Sequence, residues 1–238
     1  MAVSYAPVAS ASHYSSPEPS DKPGNAAERR VRDVLTAELR RVAAAGPGDG
    51  RAVPSGRPIS FNAAMARALL AGQKTQTRRP IKPLPTGQTM RDGIAWPAGR
   101  DGEPVECRLA APRELLWVRE PSAAGPRGVE YEADVGPKRA ANRSWRGGRY
   151  MSRSASRLTL RVTSVRPERL ADLSGSDAAA EGMPPGLFSD DPDTAIVWFQ
   201  RLWDGIYGRD PDLSWRANPW VWAIEFRLIA KNIDAIDT

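Results

Sequence analysis

The chain has 238 residues, of which 41% are hydrophobic and 26% charged, with a formal net charge of +6; this composition is typical of one folded domain with a loose end. Cys107 and His13 are the only cysteine and the only histidine, which excludes a Cys/His zinc site and an intrachain disulfide and argues against a triad with an imidazole base. The absence of a signal sequence and of about 18 consecutive apolar residues predicts a cytoplasmic protein without membrane contact. We also expect no metal and no cofactor.

The first 56 residues show two patterns. Residues 1–26 are rich in Ser, Pro and Ala and are predicted to be a disordered leader, since they offer too little apolar surface to bury. Residues 27–56 are predicted to form an amphipathic helix over 27–45 and a linker. We expect this helix to dock on the domain or to be solvated, while a protein partner or an anionic surface is the alternative. Its apolar positions are Val31, Val34, Leu35, Leu39 and Val42.

The next segment predicts a strand followed by a short helix. Residues 57–61 form a short apolar run, and Asn62 is a suitable N-cap. Met65, Leu69 and Leu70 have the spacing of an apolar helix face, and Gly72 is placed to end the helix.

Further strands are predicted by aliphatic, aromatic and alternating residues. They cover residues 115–120, residues 128–133 and, most clearly, Ser156 to Val165. In the last of these, apolar residues alternate with Arg157 and Arg161, which predicts one buried face and one basic face.

The C-terminal part predicts two helices and a core strand. Ser174, with Asp177 three residues later, is typical of the start of a helix that contains Glu181 near its end. A second helix is predicted from Asp193 to Tyr207, closed by Gly208. Its predicted buried face consists of Ile196, Phe199, Trp203 and Ile206; the apolar positions of the final strand are Trp220, Trp222, Ile224, Phe226 and Leu228. Trp117, Trp203, Trp220 and Trp222 are predicted to lie in the core.

Five segments, in this order, resemble a phage and prophage branch of the ASCH family. They cover residues 57–83, 115–120, 155–183, 199–208 and 218–226. The resemblance implies an α+β fold over residues 57–229, a PUA-like β-barrel of about five to six strands with flanking helices and a cleft beside the first helix; residues 230–238 would be a C-terminal tail. The chain departs from the family pattern before residue 115, where Arg113 and Glu114 replace a Gly-Asp turn, and at Pro121.

Residues 72–79, Gly-Gln-Lys-Thr-Gln-Thr-Arg-Arg, are similar to the ASCH signature G-x-K-x-x-T-x-R. Small ASCH amidohydrolases that deacylate acetylated cytidine use a Lys, a Thr three residues later and a Glu in an A-x-x-E helix. The resemblance places these catalytic roles on Lys74, Thr77 and Glu181. A neutral Lys74 could activate Thr77 with Glu181 as proton relay, or a charged Lys74 could stabilise the oxyanion with Glu181 as the base. Ordinary helix-end, strand and surface roles are the alternative for all three.

Two groups of basic residues predict contacts with phosphates. The first is Arg67, Lys74, Arg78 and Arg79, followed by Lys82; the second contains Arg149, Arg153, Arg157 and Arg161. The second group lies between Lys138 and Arg169, where ten basic residues and one acid, Glu168, occur together with Trp145 and Tyr150. Exposed aromatic rings can stack on bases. The alternative is a solvated polar face with the aromatic rings as loop anchors.

The leading hypothesis from the sequence is a protein that binds RNA or a nucleotide-like or nucleoside-like ligand in a basic cleft formed by Lys74, Thr77, Arg78 and Glu181. The first alternative is an amidohydrolase that acts on a modified nucleoside. A metal-independent ribonuclease and a phage accessory factor that binds a protein through residues 27–45 are further alternatives. A fold by itself does not transfer an activity.

Overall fold

The computed structural model describes residues 56–126, 128–136, 140–187 and 191–236. These described residues belong to one compact unit. Its strands are β1 (Arg57–Ser60), β2 (Gln76–Pro80), β3 (Gly87–Arg91), β4 (Ile94–Ala98), β5 (Leu115–Arg119), β6 (Ser122–Gly125), β7 (Gly128–Tyr131), β8 (Thr159–Arg169) and β9 (Trp220–Ile229). Its α-helices are α1 (Ala63–Leu70), α2 (Gly175–Ala180) and α3 (Pro192–Tyr207).

Five of the strands form one mixed sheet in the order β1-β5-β8-β9-β2. The β1–β5 pair is parallel, and the other pairs are antiparallel. The α+β prediction is therefore confirmed. Among the described residues, the sheet does not close into a barrel: β1 and β2 are its two edge strands and do not pair with each other. Helix α1 connects these two edge strands along the chain.

Local signals predicted most of these elements. The Asn62 side chain accepts a hydrogen bond from the Met65 amide, and the Ser174 hydroxyl accepts one from the Asp177 amide, as expected for N-caps. Strand β8 begins three residues later than predicted and continues to Arg169. The extended part of β8 includes Pro167. A proline is tolerated there because β5 pairs only with the first three residues of β8, so the later part has β9 as its one hydrogen-bonded neighbour among the described strands.

Two predicted buried faces were partly wrong. Leu70 and Ile206 are exposed although their neighbours Leu69 and Tyr207 pack on the core, since a step of one residue turns a side chain about 100° around a helix. Thr159 on β8 is completely buried, so the second face of this strand is not uniformly basic. Glu181 is the C-cap of α2 and not a residue within the helix.

The sheet has an apolar cluster on each face, because both sets of alternating residues in β9 are buried. Trp222, Ile224 and Phe226 pack with Leu69 of α1 and with β5 and β8. On the opposite face, Val221 packs with helices α2 and α3. The four tryptophans that were predicted to lie in the core are all buried: Trp117, Trp203, Trp220 and Trp222.

The predicted leader and the helix over 27–45 lie outside the described residues. The segment after β9 packs on the domain as far as it is described: Ile233 is buried against Leu115 and Trp117, and the Asn232 amide donates to the Ser156 carbonyl at 2.6 Å. Within the described ranges, no helix combines the length and apolarity needed to cross a bilayer.

Candidate functional site

The end of helix α1 determines the position of Lys74. Gly72 has a φ of 71°, the left-handed conformation that glycine adopts readily after a helix. The amides of Gln73 and Lys74 both donate to the Ala68 carbonyl, at 2.9 and 3.1 Å. This tight turn brings Lys74 back over the helix, and its side chain is only 1% exposed.

Glu181 reaches Lys74 because the end of helix α2 lies against this turn. The two residues form an isolated antiparallel bridge, and the Thr75 amide donates to the Ala180 carbonyl at 2.9 Å. Gly182 allows this approach: its φ is 99°, and a Cβ there would lie 2.9 Å from the Ala68 Cβ.

Lys74 and Glu181 form a buried ion pair. The Lys74 Nζ donates to the Glu181 Oε2 at 2.7 Å and to the Glu181 carbonyl at 2.8 Å. Removal from water lowers the pKa of Lys74 below its ordinary value, and the negative charge of Glu181 opposes this effect only in part. The structure thus brings together the predicted lysine and glutamate and favours the neutral amine more than water does.

The lowered pKa predicts how stability changes with pH. The relevant pH window lies between the lowered pKa of Lys74 in the folded protein and 10.5, its ordinary value. Within this window Lys74 binds more protons in the unfolded chain than in the folded protein, so its contribution to the free energy of unfolding rises with pH. We expect the unfolding free energy of wild type, minus that of Lys74→Met, to increase as urea titrations are repeated at higher pH in this window. A decrease would mean that attraction to Glu181 outweighs the loss of hydration.

Arg78 is completely buried and belongs to a network of ion pairs. Its Nη1 donates to the Glu181 Oε1 at 3.2 Å, its Nε to the Glu168 Oε1 at 2.6 Å, and its Nη2 to the Asp177 Oδ2 at 3.1 Å. Arg166 also binds Glu168 and Asp177, at 3.2 and 3.0 Å. Arg78 and Arg166 therefore hold helix α2 against the sheet and hold Glu181 in place.

The register of the sheet explains this network. Arg78 on β2 and Arg166 on β8 are both opposite Ala223 of β9, and both guanidinium groups bind the Asp177 Oδ2. Gln76 is opposite Glu225, and its amide lies 3.3 Å from the Glu225 Oε1. The sequence analysis did not identify a role for Arg166, Glu168 or Glu225 in the site, although polar residues alternate in β2 and in the second half of β8.

A small cleft beside edge strand β2 brings Thr77 and Glu181 together. Thr77, Arg79 and Glu181 contribute to its polar side, and helix α3 contributes an apolar wall that includes Phe199 and Trp203. The Thr77 hydroxyl has no hydrogen-bond partner in the described parts of the chain. The volume of the cleft is about 20 Å³, which is enough for about one water molecule and below the 300 Å³ or so of a typical small-ligand pocket.

The charges around the cleft are largely balanced. Four carboxylates, those of Glu168, Asp177, Glu181 and Glu225, contact the three cations Lys74, Arg78 and Arg166. Arg79 is the cleft cation without a carboxylate partner among the described residues; its Nη2 donates to the Ser60 carbonyl at 2.7 Å, and its guanidinium lies 5.2 Å from the Phe61 ring centre. A positive charge in the cleft thus comes mainly from Arg79.

The other predicted binding residues lie outside this cleft. Arg67 donates to the Ala133 carbonyl at 3.0 Å, while Arg153 pairs with Asp234 at 2.7 Å. Arg157 binds the buried Glu120 and also Asp134, at 2.9 and 2.7 Å. Arg149 and Arg161 are exposed and form no ion pair with a described residue.

A larger groove of about 570 Å³ lies between the end of β2 and the loop that follows β4. Trp222 and Val105 line it, and its charged residues are balanced, with Lys82, Arg100 and Arg108 opposite Asp101, Glu103 and Glu106. All six of these charged residues are exposed. None of them is a buried ionisable group comparable to Glu181 in the smaller cleft. No group of three or more potential metal ligands occurs in the described ranges.

Two solved structures are similar to the chain. One is the ASCH domain from Lactobacillus crispatus JV V101, with 14% sequence identity, a TM-score of 0.37 and coverage of 69% of each chain. The other is a DUF984 protein from Enterococcus faecalis V583, with 11% identity, a TM-score of 0.40 and coverage of 88% of this chain and 99% of that chain. No protein-family profile and no curated sequence matches the chain.

Proposed function

We propose that the cleft binds a nucleoside-like ligand and that Lys74, Thr77 and Glu181 hydrolyse an amide bond on it. The observation that carries this proposal is the buried Lys74–Glu181 pair, with its 2.7 Å contact, at a cleft that Thr77 lines. A nucleophilic hydroxyl, a lysine with a lowered pKa and a carboxylate that orients the lysine are the groups that acyl transfer requires.

In the reaction, the Thr77 oxygen attacks the carbonyl carbon of the amide while neutral Lys74 accepts the hydroxyl proton. The C–N bond then breaks, and the amine leaves with a proton from Lys74. Water hydrolyses the resulting threonine ester, releases the carboxylic acid and restores the hydroxyl. We favour Lys74 as the base because both oxygens of Glu181 already accept hydrogen bonds from cations, which suits it to orient Lys74.

The cleft offers further groups to the ligand. The Arg79 guanidinium has no carboxylate partner in the described chain and can donate to the carbonyl oxygen as negative charge develops there. The aromatic residues of α3, which include Phe199, Trp203 and Tyr207, offer faces against which a base can pack. For a nucleoside to enter, the outer part of the α3 wall must move. Ile206 belongs to this outer part: its side chain lines the cleft and is 47% exposed.

Binding without turnover is the second candidate. It is favoured by the small volume of the cleft, about 20 Å³, and by the ion pairs that hold α2 against the sheet. In that case the Lys74–Glu181 pair would recognise the polar groups of the ligand and would not take part in chemistry.

The test is to incubate the full chain with acetylated cytidine and to follow free cytidine by chromatography. We expect turnover by wild type, a loss of at least about 100-fold in Thr77→Val, and substantial activity in Thr77→Ser, because Val preserves the shape of Thr77 but lacks its oxygen. Thr89→Val, in the β3–β4 hairpin, is the matched control and should retain full activity.

Two results would contradict the catalytic proposal. Equal turnover by wild type and Thr77→Val would remove Thr77 from the reaction. No turnover, combined with calorimetric binding of acetylated cytidine that weakens in Arg79→Gln, would establish the cleft as a binding site only.

A further inference from the structure

A group of arginines outside the cleft has no carboxylate partners. In the segment after β7, Arg143, Arg153 and Arg157 pair with Glu130, Asp234 and Glu120, respectively. In contrast, Arg119, Arg146 and Arg149 form no ion pair with a described residue. Such cations keep their full positive charge available to an external anion.

Arg119 shows a second sign of an unsatisfied site. Its Nε is buried and has no hydrogen-bond partner within the described chain. Its Nη1 makes only a long contact of 3.4 Å to the Arg149 carbonyl. Buried guanidinium N–H groups normally have a hydrogen-bond partner, so this donor is an exception that an anion bound nearby could satisfy.

Tyr150 lies among these arginines and is 65% exposed. Its ring centre is 5.7 Å from the Arg149 guanidinium and 6.0 Å from that of Arg146. The loop packs closely on the end of β5, since a Cβ on Gly148 would lie 2.8 Å from the Arg119 carbonyl oxygen. An exposed aromatic ring flanked by unpaired arginines can stack on a base while the arginines bind neighbouring phosphates.

This surface is connected to the cleft through the ends of two strands. Ser60 on β1 is opposite Arg119 on β5, and the Phe61 amide donates to the Arg119 carbonyl at 2.9 Å. Arg79, which lines the cleft, donates to the Ser60 carbonyl and lies over the Phe61 ring. Arg79 and Arg119 thus approach the end of strand β1 from the two faces of the sheet: Arg79 packs on the Phe61 face, and Arg119 lies over Trp117 on the other.

We propose that Arg119, Arg146, Arg149 and Tyr150, here named the Tyr150 surface, bind a single-stranded nucleic acid. The arginines contact its phosphates, and Tyr150 stacks on one base. The surface lies outside the cleft, so binding there does not depend on hydrolysis at Thr77.

The test is to titrate the full chain against a fluorescently labelled single-stranded RNA of about ten nucleotides at several salt concentrations. With three phosphate contacts, log Kd should rise with log salt with a slope of about 2. Tyr150→Ala should weaken binding by about 5-fold to 100-fold, and Tyr150→Phe, which retains the ring, should bind as wild type does. Arg146→Gln and Arg149→Gln should each reduce the slope by about 0.7, the contribution of one phosphate contact on a single strand, whereas Arg201→Gln, an exposed residue of α3, should not.

The other outcomes separate this proposal from its alternatives. Equal weakening by Arg201→Gln and Arg149→Gln, or unchanged binding by Tyr150→Ala, would overturn it and would indicate attraction by net charge alone. Single-stranded DNA binding as tightly as RNA would support recognition of phosphates and base faces, and a preference for RNA would support it with a further contact to the 2′-hydroxyl. Thr77→Val should bind the nucleic acid as wild type does, so failure of the catalytic proposal leaves this one intact.

Discussion

Replacing Glu181 by alanine is expected to lower the free energy of unfolding by about 3–5 kcal/mol. The Glu181 carboxylate is 3% exposed and accepts hydrogen bonds from both Lys74 and Arg78. Without it, the Lys74 ammonium stays buried with only a carbonyl as acceptor, and Arg78 loses one of its three carboxylates. Urea titrations monitored by tryptophan fluorescence would measure the loss.

Two variants make this measurement specific. Glu106→Ala removes a carboxylate from an exposed pair with Arg91 and should change stability by no more than about 0.5 kcal/mol. Glu181→Gln keeps the shape and one acceptor oxygen, so it should fall between wild type and Glu181→Ala. A loss below about 1 kcal/mol for Glu181→Ala would show that Lys74 becomes neutral or hydrated at little cost and that the ion pair does not hold the site together.

Trp203→Ala is expected to cost about 3–5 kcal/mol, since it opens a cavity between α3 and the sheet. Trp203 is 2% exposed, and its ring centre lies 4.5 Å from that of Tyr207 and 6.1 Å from that of Phe199. Its indole N–H donates to the Leu213 carbonyl at 2.7 Å, and this acceptor would be left unsatisfied. Thermal and urea unfolding would both report the change.

Val197 lies on the same helix and is 44% exposed, so Val197→Ala is the matched control and should change stability by no more than about 0.5 kcal/mol. Trp203→Phe, which fills part of the space, should lose less than Trp203→Ala. Equal effects of Trp203→Ala and Val197→Ala would mean that α3 contributes little to the core and is free to move away from the cleft.

Several elements were predictable because their signals are local. Asn62 and Ser174 begin helices by capping amides three residues later in the chain, and Gly72 ends a helix by adopting a left-handed conformation. The alternating tryptophans of β9 also predicted a core strand correctly. The two hairpins β3–β4 and β6–β7 were not predicted in full, since their strands contain Gly, Pro and Ala, whose pairing depends on the partner strand.

The candidate site was predictable in part. The resemblance in residues 72–79 and 178–181 identified Lys74, Thr77 and Glu181, and the structure brings the lysine and glutamate into direct contact. The sequence also suggested that Arg78 and Arg157 bind phosphates, whereas the structure pairs both with carboxylates. The charge of a side chain follows from its residue type. Whether a carboxylate already neutralises that charge depends on residues about 40 to 100 positions away in the sequence.

The sequence by itself determined the helix ends, the buried strands and the residue types of the Lys74 turn, because these depend on neighbours within a few positions. Tertiary structure alone decided which charges are free. The register that places Arg78 and Arg166 on either side of Ala223 builds the ion-pair network, and the close packing of Gly148 on β5 brings Arg149 and Tyr150 beside Arg119. The ion-pair network and the group of unpaired arginines both arise from strand pairing and loop packing between residues far apart in the sequence. The electrostatic energy of such groups depends on separations of a few ångströms, which only the folded structure determines.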